Sequence, residues 1–187
     1  MADNPPDRCY YCKRRIFGTF LSVAAGKGIR LLVEGTHADD LGVYRPGRRA
    51  LQELGVRSPF AELGIHKADI RLLAQALGVP NAGRPSTPCL ATRFPYRTCL
   101  TAEALRQVEQ GEAAFRRILP QVNFRVRVHG DLARLEVPPE AFERVLACRG
   151  EILEALHAVG FNHVALDLQG FRSGSFDVGS IIGRVME

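Results

Sequence analysis

One stretch divides this chain. From Asn81 to Arg97, entered through Pro80, prolines stand at 80, 85, 88 and 95 with a glycine at 83. Proline fixes φ and removes a backbone donor, and no apolar repeat of helical or strand period runs through the segment. It reads as a long irregular loop, and long loops inside compact domains tend to be functional ones. The sequence on either side of it has a different character.

The first half alternates helix and strand signals. Asn4-Pro5-Pro6-Asp7 cannot lie inside a helix, and Asp7 is placed to N-cap one over residues 9–25, with Phe17, Leu21 and Ala24 on one face and Gly26 and Gly28 as the stop. Ile29-Arg30-Leu31-Leu32-Val33 reads as a short buried strand. Gly35-Thr36-His37-Ala38-Asp39-Asp40 follows at its C-terminal end, where open α/β sheets carry ligand loops. A turn at Tyr44–Gly47 leads to a short helix over 48–54 ended by Gly55, and Ser58-Pro59 opens another short segment. His66 to Leu77 forms a helix with Ile70, Leu73 and Leu77 along one face, stopped by Gly78 and Pro80.

After Thr101, an N-cap, the pattern is α-β-β-α-β. A helix spans 102–118 with Leu105, Val108, Phe115 and Ile118 on its apolar stripe. Phe124 to Val128 alternates as a half-buried strand, His129-Gly130-Asp131 turns, and Leu132 to Val137 returns as its hairpin partner. One helix starting at Pro138-Pro139-Glu140 carries Phe142, Val145, Leu146, Leu153, Leu156 and Val159, and Val164 to Leu168 is the last strand. The fold class expected is α/β: a partial parallel-sheet domain over 1–98, then a small α+β module over 99–187.

With 187 residues the chain can bury a core, and its 24% charged composition is ordinary for a globular protein. No apolar run approaches the roughly 20 residues of a membrane span and no apolar signal core opens the sequence. Five cysteines, an odd number, suit reduced thiols in the cytoplasm. Residues 1–100 hold 15 Lys and Arg against 8 Asp and Glu, whereas 101–187 hold 10 against 12. That mild basic excess suits a phosphorylated small molecule; the dense basic stripe with stacking aromatics of a nucleic-acid binder is missing.

Cys89 is the main candidate for chemistry. Arginines at 84 and 93 flank it, and nearby guanidinium groups favour a nucleophilic thiolate; the alternative is a small buried hydrophobe. Cys9 and Cys12 form a C-x-x-C that serves redox pairs, metal half-sites and plain packing alike. Lys67, one of three lysines against 22 arginines, sits in the first turn of its helix, where a cation beside the N-terminus makes an anion site; a solvated lysine is the plainer reading. Asp39 and Asp40 can bind Mg²⁺ or cap a helix. Arg125 and Arg127, two apart on one strand, share a face and would clamp a phosphate if that face lines a cleft, with Glu136 on the paired strand as counter-ion. The histidines at 66, 129, 157 and 163 have no metal-ligand spacing and are read as structural. Ser173 to Asp177 superficially echoes a phosphate-binding Ser-Gly-Gly-x-Asp-Ser loop but lacks the second glycine and a following helix, so it reads as a C-terminal loop.

Taken together, Asn4–Lys13, Gly35–Asp40, Arg45–Gly47, Gly55–Pro59, Lys67–Arg71, Pro88–Tyr96 and Arg125–Arg134 resemble, in order, the PP-loop ATP-dependent sacrificial sulfur transferases of the LarE type, which build the nickel-pincer cofactor of lactate racemase. The resemblance implies a homo-oligomeric enzyme that uses ATP and Mg²⁺ to adenylylate a carboxylate of a pyridinium carboxylate mononucleotide. Cys89 then matches the sacrificial cysteine, Arg125 and Arg127 the substrate-phosphate pair, and Gly35, Thr36, Asp40 and Lys67 the ATP and phosphate-binding elements, with Arg93 and Glu136 in support. Some members of the family hold a 4Fe–4S cluster with three cysteines, for which Cys89 and Cys99 are candidates here. The sequence departs from the family at His37, where Asn is usual, and at Arg84, where Lys is common. The family's Ser-Gly-Gly-x-Asp-Ser loop is expected upstream of Asn4, so the chain reads as the last two-thirds of such an enzyme. The alternatives are another PP-loop adenylating enzyme, such as a tRNA thiolase or a synthetase of the NAD/GMP type, and a non-catalytic remnant.

Overall fold

A computed structural model describes residues 2–84, 86–172 and 176. The chain groups into two compact units: Pro6–Ser86, and Ala2–Pro5 together with the chain from Thr87 onward. Residues 87–98, assigned by sequence to the first unit, pack with the second.

The first unit is mainly helical. Helix α1 (Arg8–Gly26) packs on α2 (Gly47–Glu53), followed by α3 (Pro59–Glu62) and α4 (Lys67–Ala76). Gly47 is where α1 and α2 come closest: a Cβ there would lie 2.9 Å from the Lys13 side chain and 3.3 Å from the Cys9 carbonyl oxygen. The Tyr10 hydroxyl donates to Glu53 at 2.7 Å, and the Arg49 guanidinium stacks on the Tyr10 ring at 3.9 Å, so the same contact carries polar fastenings. Asp7 does occupy the N-cap position of α1, without a side-chain cap bond.

Two expectations for this unit need correction. Ile29–Val33 is not a buried strand. It runs extended with one parallel bridge, Val33 to Arg57, and Ile29, Leu31 and Val33 are each about half exposed. A strand is stabilised by cross-strand neighbours, and among the described residues this run has a partner at one position only. Helix α4 forms where its period places it, yet Leu73 and Leu77 on its apolar face stand exposed at 52% and 80%. The parallel sheet expected of the first half is reduced to that single bridge.

The second unit follows the expected α-β-β-α-β order closely. Helix α5 (Ala102–Ile118) has the bounds its pattern predicts, and the Thr101 hydroxyl accepts from the Ala104 N–H at 3.1 Å as a true N-cap. Strands β1 (Arg125–His129) and β2 (Leu132–Glu136) form an antiparallel hairpin, and β3 (His163–Leu166) pairs parallel to β2, giving the order β1-β2-β3. The single helix expected after Pro138 is instead a 3-10 turn (Pro139–Ala141), α6 (Phe142–Ala147) and α7 (Arg149–Ala158), with Cys148 as the joint between the two helices. Among the described residues no helix is long and apolar enough to cross a membrane.

The three-stranded sheet is buried on both sides of β1, not half-buried as the alternation suggested. One face carries Val126, Val128, Ala133 and Leu135 into a core with Val108, Phe115, Phe124, Ile152, Leu156 and Phe161. Gly111 lets α5 approach α7 there: an added Cβ would meet Leu156 at 3.2 Å. The other face is polar, and it carries the site described next. Of the Ser173–Asp177 loop only Phe176 lies within the described residues.

Candidate functional site

Antiparallel register puts Arg125 opposite Glu136 and Arg127 opposite Arg134. Residues directly opposite share a face, so three arginines and one glutamate are gathered on one side of the hairpin. Burial is nearly complete for Arg125, Arg127 and Glu136, and groups so placed must be paired. Arg127 donates from Nε to Glu136 Oε2 at 2.9 Å, and its NH2 lies 2.8 Å from the same carboxylate. Arg134 lies 3.3 Å from the other Glu136 oxygen and also pairs with Asp167. Glu136 is thus the counter-ion of Arg127 and Arg134. Arg125 donates to the Asn123 side chain at 3.2 Å and to the Phe124 carbonyl. Burial first, then repulsion from Arg93, pushes its pKa down to about 10, against the opposing pull of Glu112. It remains a cation at neutral pH.

Aromatic rings cover this face. Phe171 lies 5.0 Å from the Arg125 guanidinium, and Phe176 lies 5.1 Å from that of Arg127 and 5.7 Å from that of Arg134. Such contacts favour a cation and exclude water. His129 shares the environment: burial and then the Arg134 charge hold its imidazole below the ordinary histidine range.

The Cys89 loop is fastened to the same face. Arg127 NH1 donates to the Thr92 carbonyl at 2.6 Å. Cys89 precedes a 3-10 turn, Leu90–Arg93, and is exposed, so the buried-hydrophobe reading of this thiol does not hold. Arg93, completely buried, makes a two-pronged pair with Glu112 of α5 at 2.6 and 3.0 Å and donates to the Pro88 carbonyl at 3.3 Å. Cys99 is exposed as well. Among the described residues no three His, Cys, Asp or Glu side chains gather as a metal-ion ligand set.

Two residues of this site escaped the sequence reading. Glu112 lies on the apolar stripe of α5, four residues after Val108 and three before Phe115, where a carboxylate is out of place unless it has a buried partner. Asn4 is fully buried, and its Nδ2 reaches the carbonyls of Pro95 at 2.8 Å, Phe94 at 3.3 Å and Ala91 at 3.4 Å. Its positive φ of 46° is a conformation Asn tolerates better than most residues. The Asn-Pro-Pro sequence marked a loop but gave no hint of what the loop holds.

The other predicted residues form a separate group in the first unit. Glu34 is held ionised: burial would raise its pKa, but hydrogen bonds from Ser58 and Thr36 and the charge of Lys13 outweigh it. Asp40, buried, accepts from the His37 N–H at 3.3 Å and pairs with Arg45 at 2.7 Å. Asp39 accepts from the Lys67 backbone N–H at 2.8 Å and meets His66 Nδ1 at 2.6 Å. The N-terminus of α4 therefore already receives a carboxylate, the capping role weighed for this Asp pair, and Lys67 is its exposed first residue. Thr36 borders a cavity of about 260 Å³ shared with Leu41, Arg48, Leu51, Ser58 and Glu62, next to the Gly35–Asp40 loop.

No protein-family model matches the chain. Over 93% of its length it is 38% identical to the pyridinium-3,5-bisthiocarboxylic acid mononucleotide synthase of Lactiplantibacillus plantarum. The chain is a homologue of that synthase. It is also 40% identical, again over 93% of its length, to an uncharacterized protein of Synechocystis, and 32% identical over 91% to one of Methanocaldococcus jannaschii. It spans 63% of the length of the synthase, and 65% and 66% of the other two.

Proposed function

We propose that the chain is the larger part of an ATP-dependent sulfur transferase of the LarE type, acting in the cytoplasm in nickel-pincer cofactor biosynthesis. The observation that carries this reading is that an exposed cysteine, Cys89, sits on a loop that Arg127 fastens to the buried arginine face. A nucleophile beside guanidinium groups suited to an anion is what a thiol acting on a phosphorylated substrate needs. The homologue's name describes a mononucleotide bearing two thiocarboxylic acid groups, and sulfur must reach carboxyl carbon to make one.

In this reading a carboxylate of a pyridinium carboxylate mononucleotide attacks the α-phosphorus of ATP, giving an acyl adenylate and releasing pyrophosphate. Mg²⁺ arrives with the ATP. The Cys89 thiolate attacks the acyl carbon, and AMP leaves with the bonding pair. Loss of the Cys89 Cα proton then breaks its carbon–sulfur bond. The sulfur stays on the substrate as a thiocarboxylate, and dehydroalanine remains at position 89. Arg125, with Arg127 beside it, holds the substrate phosphate; Gly35, Thr36, Asp40 and Lys67 are assigned to ATP. The cluster-dependent variant would need a third ligand beside Cys89 and Cys99, and among the described residues no such group of three gathers.

The same reading treats the chain as a piece of a longer enzyme. Apart from its fit to under two-thirds of the synthase, the support is the exposure of Ile29, Leu31 and Val33 and, separately, of Leu72, Leu73 and Leu77 at α4. A strand-and-helix segment of the kind a PP-loop domain carries would cover such faces.

The test is intact mass after incubation with ATP, Mg²⁺ and the pyridinium dicarboxylate mononucleotide, using the chain extended to the length of its relatives. Thiocarboxylate formation should be matched by loss of one H₂S from the peptide containing Cys89. Product formed while Cys89 keeps its sulfur, or by a Cys89→Ala protein, would sink the assignment.

A further inference from the structure

The chain of bonds behind Cys89 is longer than a nucleophile on a loop requires. Arg93 NH1 donates to the Thr92 hydroxyl at 2.8 Å, and that hydroxyl in turn donates to the Cys89 carbonyl at 2.7 Å. The Thr92 N–H donates to the same carbonyl at 3.0 Å. Arg93 is aimed by its two-pronged bond to Glu112, whose Oε1 also accepts from the Val126 N–H of β1 at 3.2 Å. A continuous path therefore runs from the sheet and α5 to the backbone of residue 89.

We propose that Glu112, Arg93 and Thr92 form a positioning relay for Cys89. The inference rests on the reading of Cys89 as the nucleophile. None of the three needs to touch substrate. Their work is to turn the carbonyls of Pro88, Cys89 and Thr92 inward, onto Arg93, Thr92 and Arg127, so that the residue 89 side chain is left pointing outward from a fixed backbone. Thr92 is the joint of the relay, because its hydroxyl accepts from Arg93 and donates to Cys89 in the same geometry. A guanidinium suits the task because its donors are set in a rigid fork: two serve Glu112, and NH1 serves the loop. Arg93 and Glu112 together add no net charge, and the relay acts on residue 89 through geometry.

The test uses the full chain and two substitutions of opposite character. Thr92→Val keeps the side-chain shape and removes the hydroxyl; Thr92→Ser keeps the hydroxyl and removes the methyl group. Hydrogen exchange at the Thr92 amide is read by NMR, and iodoacetamide alkylation of Cys89 is read by mass on its peptide. In Thr92→Val, exchange should quicken about five- to thirtyfold, as loss of a fastening at a local opening predicts. The alkylation rate should depart from that of the unmodified protein by at least about threefold by the same loss. Thr92→Ser should stay within about twofold on both. A packing role predicts the reverse order, and that order, or two variants indistinguishable from the original chain, would overturn the relay. The charge-neutral Arg93→Met/Glu112→Leu pair is the second arm. Replacing a buried ion pair with apolar residues is often neutral for stability, but the Val126 N–H loses its Glu112 acceptor. The double variant should therefore stay folded, with a melting temperature lowered by no more than the cost of one unpaired donor, and lose Thr92 protection. Retained protection in a folded double variant would also count against the relay. Both readouts are independent of sulfur transfer, so a Cys89→Ala protein that still makes product would remove the functional reading and leave the relay to stand or fall on exchange.

Discussion

Glu136 is the most exacting residue to perturb, because it is completely buried between two arginines. Glu136→Leu removes the acceptor of two Arg127 contacts, at 2.8 and 2.9 Å, and a third contact from Arg134 at 3.3 Å. Arg134 keeps Asp167. Among the described residues Arg127 keeps the Thr92 carbonyl and its ring contact, neither of which carries a full negative charge. Breaking one half of a buried pair costs about 3–5 kcal/mol, most of it from the charge left behind. In a domain near 100 residues each kcal/mol moves Tm by about 4–8 °C, so the calorimetric transition of the second unit should fall by at least about 12 °C. Arg127→Met/Glu136→Leu should recover most of that loss. The double variant buries no orphaned guanidinium and gives up the bond to Thr92, about 1 kcal/mol, together with the Arg127 contact to the Phe176 ring and the Arg134 contact to Glu136. A single variant within about 1 kcal/mol of the original chain would mean Glu136 is not the counter-ion in solution. A double variant as unstable as the single would mean that lost packing, not unpaired charge, sets the cost.

Two further outcomes follow from the same geometry. Asn4→Ala removes a donor shared by three carbonyls and places alanine at φ 46°; the second unit should lose about 2–3 kcal/mol, read from the same calorimetric transition, and an unchanged Tm would refute the role given to Asn4. His66 should titrate above its ordinary value of 6.5, since the Asp39 carboxylate hydrogen-bonds to it and then adds its charge, while Asp39, held first by the Lys67 N–H, titrates below 3.8. The pair is complete between those two values: its contribution is lost as pH rises through the raised His66 pKa and as pH falls through the lowered Asp39 pKa. An NMR titration of the His66 ring should move back toward 6.5 in Asp39→Asn, and a midpoint at or below that value in the unaltered chain would contradict the contact.

Much of the second unit could be read from the sequence because its local signals agree with its packing. Thr101 caps α5, the period from Leu105 to Ile118 is helical throughout, and the hairpin turn at Gly130 has the positive φ that glycine supplies, 63°. Local signals of this kind survive folding because nothing in the tertiary structure opposes them. In the first unit the same grammar misled. Ile29 to Val33 has the composition of a buried strand, but composition states only that a run is suited to pairing. Whether it becomes a ladder depends on neighbours, and here one bridge forms. The helix after Pro138 failed for a smaller reason. An apolar stripe continues across Cys148, but the stripe does not reveal that the backbone breaks there into α6 and α7.

The site divides along a similar line. Strand period alone put Arg125 and Arg127 on one face, and the hairpin made Glu136 their neighbour, because i, i+2 and cross-strand relations are fixed by backbone geometry. Which side chain Glu136 bonds is a side-chain matter: it takes Arg127, and the contacts of Arg125 include a side-chain amide and a carbonyl. That asymmetry bears on how the face would treat an anion. Arg127 is committed to Glu136 and to the Cys89 loop, and its pairing makes it a structural anchor before any ligand arrives. A phosphate bound at this face would have to compete with Glu136 and the Thr92 carbonyl for Arg127. The two neighbouring arginines that looked equivalent in sequence thus have different partners in the fold.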